Sequence, residues 1–213
     1  MNIKQAAVLL EQEGIRVEAT GQSIHVIPVA QDENIYKLEK RDEQWVYLFI
    51  QYERNSEGRE MIVNTFRDET EAANYFFLVT LQSSYFQKYI FTFKEKNTSL
   101  KIGTPSFTMS ALQKALSSLQ VVHTSFSFFD EEVAPHSIHL KRVSPTECKV
   151  QYIGNNKQVV FETIELEDWD AYSAMFDYVY LLALLDQKCK NLAENHQIEE
   201  AFSDEDFAIF LTA

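Results

Sequence analysis

Between Lys157 and Lys188 the sequence has no Lys or Arg, and within that gap lie Glu162, Glu165, Glu167, Asp168, Asp170, Asp177 and Asp186. Carboxylates this dense have three chemical uses. At a helix N-terminus each stabilises the helix dipole by about 0.3–1 kcal/mol, and Glu167, Asp168 and Asp170 suit that place. On an open surface they speed association with a basic protein and make binding salt-sensitive. Asp170 and Asp177, seven apart, share one face of a helix. Glu199, Glu200, Asp204, Glu205 and Asp206 would extend such a surface. The third use is a glycosidase-type acid pair, which any acidic chain offers by number alone. The candidate partner-binding residues are therefore Glu165, Glu167, Asp168, Asp170, Asp177, Glu199, Glu200, Asp204, Glu205 and Asp206.

Other chemistry has less to work with. The five glycines, at 14, 21, 58, 103 and 154, are never closer than seven residues. No loop can wrap several backbone amides round a phosphate, and no G-x-S-x-G elbow exists. His136 and His139 form the only pair resembling metal ligands. In a strand their spacing sends them to opposite faces, and Pro135 argues against a helix. Cys148 begins a strand, and His25, His123, His136, His139 and His196 are equal candidates for its base, so none is selected. The expectation is no catalytic residue, no metal and no cofactor. Trp45, Tyr47 and Phe49 alternate and read as one buried sheet face. As interface anchors, Trp169 and Tyr172 would join them.

The elements that must position these residues recur. Asn34–Leu81 aligns with Ser137–Leu181 at an offset of 103 residues, which becomes 99 after the hairpin turn. Ile35 falls on Ile138, Phe49 on Tyr152, Asp68-Glu69 on Glu167-Asp168 and Phe76-Phe77 on Met175-Phe176. Upstream, helical spacing over 3–13 matches that over 110–119. Strands are expected over 23–29, 36–40, 45–53 and 60–66, then over 124–129, 137–143, 147–153 and 158–166. Hairpin turns are expected around Gly58 and Gly154. The fold class is thus α+β: two tandem pseudo-repeats, each a helix, an antiparallel sheet of about four strands and a closing helix, packed as a pseudo-dimer. The expected division is a first repeat over 1–93, a linker over 94–106, a second repeat over 107–190 and an acidic extension over 191–213.

The closing helix of the first repeat, Arg67–Phe86, starts on a box-like Asp68 and Glu71 and then turns apolar nearly all round. Its counterpart, Asp168–Gln187, does the same after Asp177. Such helices need burial on two sides, so Phe77 or Leu78 and their opposite numbers are expected to be buried between the halves or against a second chain.

Bulk properties narrow the classes. The formal net charge is −13. Residues 1–104 carry 12 Lys and Arg against 15 Asp and Glu, and residues 105–213 carry 7 against 17. That argues against nucleic acid and anionic membranes and allows a basic partner. No apolar run reaches membrane-spanning length, and Glu11 and Glu13 interrupt any leader-like start. Two cysteines, Cys148 and Cys189, fit free thiols of a cytoplasmic protein.

Trp45-Val46-Tyr47, then Glu53-Arg54 and a polar turn, a strand ending at Phe66, and Asp68–Phe76 give residues 35–81 a familiar order. This stretch resembles the small α+β immunity proteins of bacterial polymorphic-toxin systems. The second half departs from it: Cys148 stands where Trp45 does, and no Glu-Arg pair follows the strand. The resemblance implies a cytoplasmic, non-enzymatic inhibitor that occludes a cognate toxin domain, often a basic nuclease. It carries over no binding residue. A second binding class is an acidic chaperone or adaptor for a secreted effector, with the chain as pseudo-dimeric monomer or homodimer.

Overall fold

The computed structural model describes residues 1–28, 34–52, 58–119, 121–198 and 200–213. Two units divide it: residues 1–84 with 196–200, and residues 85–195 with 201–213. The division falls inside a run of helix, and residues 94–106 lie wholly within the second unit.

In the first unit α1 spans Ile3–Gln12 and is opened by a capping box: Gln5 N–H donates to Asn2 Oδ1 at 2.9 Å and Asn2 N–H to Gln5 Oε1 at 2.8 Å. Gly14, at φ 82, lets the chain reverse after the helix, as a left-handed C-terminal glycine does. Five strands follow: β1 Val17–Ala19, β2 Ser23–Val26, β3 Ile35–Arg41, β4 Gln44–Gln51 and β5 Arg59–Phe66. They lie in sequence order, each antiparallel to the next. The three-residue β1 was not expected; it is too short for its alternation to register. The expected turn residues 54–57, and the Glu53-Arg54 pair, lie outside the described residues.

Both faces of β4 are buried. Trp45 and Tyr47 are 4% and 2% exposed, and Tyr47 meets Tyr75 and Phe76 of helix α2 (Glu69–Tyr85) at 5.1 and 6.2 Å between ring centroids. On the other face Val46, Leu48 and Ile50 pack with Ile35. Arg41 of β3 donates to Glu39 and, across β4, to Glu60 of β5 at 2.6 Å, so charged side chains arch over this second apolar patch. Helix α2 starts with Glu71 N–H donating to Asp68 Oδ1 at 2.9 Å. Ala72, Ala73, Phe76, Phe77, Leu78 and Leu81 are fully buried, as the all-round apolar pattern requires.

The second unit opens with a π-helical turn, Phe86–Phe91, and α3, Thr92–Lys96. Asn97 stops α3 by donating its side-chain amide to Phe93 O at 2.9 Å. Helix α4 spans Met109–Ser118 with Thr108 as N-cap. The strands are β6 Phe126–Phe128, β7 Ser137–Ser144, β8 Glu147–Ile153, β9 Val159–Glu162 and β10 Leu166–Glu167. β8 pairs with β7 on one side and with both β9 and β10 on the other. These pairs are antiparallel, whereas β6 runs parallel to β7. Helix α5, Asp168–Glu194, buries Tyr172, Met175, Phe176, Val179, Leu182 and Leu185 among others. Helix α6, Asp204–Thr212, is capped by Ser203 and buries Phe207, Phe210 and Leu211.

Candidate functional site

The acidic residues singled out from the sequence separate into two groups. Some are consumed by the fold. Asp168, the first residue of α5, pairs with Arg142 of β7, whose guanidinium also lies 4.6 Å from the centroid of the Phe129 ring. Cys148 donates its thiol to the same Asp168 oxygen at 3.4 Å. Asp177 takes Lys94 Nζ at 2.7 Å. Asp204 accepts from Asn155 N–H at 2.9 Å and from its side-chain amide at 2.6 Å, and Asp206 completes the α6 capping box. Lys149 likewise neutralises Glu162 at 2.7 Å. Of the expected unneutralised surface, Asp168 and Asp177 are thus paired with bases. Basic groups far away in sequence, Lys94 and Arg142, fold back on its carboxylates.

The others face solvent. Glu165, Glu167 and Glu205 are exposed, and Asp170 is half-buried. Glu200 is exposed but belongs to the first unit, and Glu199 lies outside the described residues. Glu165 lies in the break, 163–165, where the expected single strand over 158–166 divides into β9 and β10, and Glu167 ends β10. There Thr163 turns inward, its N–H donating to Val150 O and its hydroxyl accepting from Val150 N–H, both at 3.0 Å. Ile164 is left 78% exposed, the highest value among the large apolar residues described. Trp169 Nε1 donates to Glu167 Oε2 at 2.7 Å, holding the indole beside the carboxylate. Ile164 was missed in the sequence because it reads as one more alternating strand residue.

Three polar clusters have the residue types of catalytic sites. His136, at φ 52, places Nε2 2.8 Å from Asp186 Oδ1 and Nδ1 2.9 Å from the Tyr152 hydroxyl. Tyr152 is fully buried, and burial pushes its pKa far up, so the hydroxyl keeps its proton. Ser127 Oγ lies 2.9 Å from His139 Nδ1, but the two are 4% and 6% exposed, and burial pushes the imidazole pKa down. A serine nucleophile must reach its substrate, and this one faces the interior across the β6–β7 pair. The thiols are no readier. Burial pushes Cys148 up to about 11 and Cys189 up to about 12, far from the depressed values of reactive cysteines. The His136 cluster joins a loop residue to β8 and α5, and Ser127–His139 joins β6 to β7. Their placement could not be read from spacing, since Asp186 lies 50 residues from His136.

No family model, curated protein or solved structure matches the chain. Among the described residues, no three His, Cys, Asp or Glu side chains are grouped as a metal site would be, and no helix is long and apolar enough to cross a membrane. Among the described residues, the segment Glu162–Asp170 at the head of α5 is one surface that combines an exposed apolar side chain, Ile164, with charge.

Proposed function

We propose that the chain is a non-enzymatic protein-binding module, specifically an immunity-type protein that neutralises a cognate bacterial toxin in the cytoplasm by occluding it. The observation that carries this reading is Ile164, standing 78% exposed next to Glu165, with Trp169 held against Glu167. An exposed apolar residue followed in sequence by Glu165 and Glu167, with a tryptophan held against the second of them, supplies the residue types of an interface hot spot: an apolar anchor and a charged rim. Its complement is a surface with a small apolar pocket among Lys and Arg, as basic nuclease domains offer. Approach is accelerated by the long-range field of a chain with net charge −13. Inhibition then needs no chemistry, only residence on the toxin's working surface. The matching order of strands β3–β5 and β7–β9, each feeding a long helix, supports descent of both units from one duplicated plan.

The test is co-expression with the toxic domain encoded next to this chain. The parent protein should restore growth, and the double variant Ile164→Asp, Glu165→Lys should lose protection while keeping the parent's melting temperature. Equal protection by parent and variant would remove the patch from the mechanism; no protection by either would end the immunity reading for that toxin.

A further inference from the structure

The helix-facing sides of the two sheets end differently. In the second sheet, Ile138, Tyr152 and Phe161 lie in one cross-strand row, paired in register over β7, β8 and β9. Helix α6 closes that row. Phe207 lies 6.3 Å from the Tyr152 ring at an interplanar angle of 26°, and Asp204 grips the adjoining β8–β9 hairpin through Asn155 N–H at 2.9 Å. Ile138 and Tyr152 are fully buried as a result. In the first sheet the row in the same place is Tyr36, Phe49 and Met61, paired in register over β3, β4 and β5. It too stands on the helix-facing side, with Tyr36 stacked on Tyr47 at 5.4 Å. Yet Tyr36 is 47% and Met61 40% exposed.

We propose that the Tyr36–Phe49–Met61 row is a docking surface for a short helix of a partner protein, one that opens on acidic residues and presents an aromatic side chain, the chemistry α6 brings to the second sheet. A described cation favours the acidic head. Arg59 is exposed on β5 two residues before Met61, so it shares Met61's face at the hairpin end of the row. That is the end at which Asp204 engages the second sheet. In α6 the acids Asp204, Glu205 and Asp206 directly precede Phe207, so one turn sets carboxylates at the hairpin and a ring on the row. A ligand of the same order would place its carboxylates against Arg59 and its ring on Phe49 and Tyr36. This surface is independent of the acidic patch at Glu162–Asp170.

The probe is a blocked peptide of residues 201–213, added to the full chain carrying 13C-methyl methionine. Saturable movement of the Met61 methyl signal is expected. Met61→Glu and Arg59→Glu should each weaken binding at least tenfold, and a peptide carrying Phe207→Asp should not bind. Thermal melts of the chain variants should match the parent, since the changed side chains are exposed. A silent Met61 methyl at millimolar peptide would overturn the proposal. Concentration-dependent dimerisation of the parent, abolished by Met61→Glu, would assign the row to a second copy and overturn a separate partner.

Discussion

The outer strand of the first sheet and that of the second do the same pairing in opposite styles. β5 is continuous for eight residues, Arg59–Phe66, with Met61, Ile62 and Val63 at least 40% exposed. Its counterpart is cut into β9 and β10, and α6 packs beside β9. A long apolar edge invites added strands, whereas a broken edge under a helix does not. β5 carries its own partial defences: a bulge opposite Tyr47 and Leu48, and Asn64 Oδ1 accepting the Thr65 N–H at 2.8 Å. The difference teaches that one sheet is covered by its own chain at this edge, while the other leaves apolar side chains in solvent.

The largest expected effect tests the covered side. Phe210→Ala removes a fully buried ring packed 6.2 Å from Tyr85 and should cost about 3–5 kcal/mol in urea unfolding. Met61→Ala on the open side should stay within about 0.5 kcal/mol. Equal costs would break the comparison.

Next is Asp177. Burial, only partly offset by Lys94, raises its carboxyl from 3.8 to about 6. The native state therefore holds that proton more tightly than the unfolded chain does. The group's contribution is complete below about pH 4 and is lost as pH rises through about 6. Asp177→Asn should remove a stability slope worth roughly 2–3 kcal/mol across that window, measured by melts at stepped pH. An unchanged slope would refute the assignment.

A smaller effect is expected at Gly154, where an added Cβ would meet the Asp204 carboxylate and come within 2.8 Å of Val160 Cγ2. Gly154→Ala should loosen α6 at a cost of about 1–3 kcal/mol, seen as faster amide exchange confined to residues 204–212. Uniform exchange throughout the unit would argue that α6 is not separately held. Smallest is Ile164→Asp. Stability should move by less than about 0.5 kcal/mol, which makes its effect on partner binding readable.

Much of the architecture was legible. The apolar alternation of Trp45–Phe49 and of Cys148–Tyr152 placed β4 and β8, and Asp68 and Asp168 marked where the long helices begin. β6 was found but not its parallel pairing with β7, because a three-residue strand has no directional signature. The break after β9 was missed because Thr163, which causes it, is itself a good strand former. For the candidate site, Glu165, Glu167 and Trp169 were visible as types, while Asp168, Asp177 and Asp204 were assigned to a surface from which the fold withdraws them.

Local order, then, was written in the chain. Periodicity, caps and turn residues act within a few positions, so the sequence alone determined the longer strands and helices, their order and the excess of acid in its second half. Tertiary structure decided which charges remain. Lys94 meets Asp177 across 83 residues and Arg142 meets Asp168 across 26. Those pairings depend on how sheets and helices pack, which no local pattern encodes. Packing also decided that Ile164 and Met61 stand in solvent while Phe161 and Tyr152 do not. Exposure belongs to the assembled surface, and residues of the same hydrophobicity fall on either side of it.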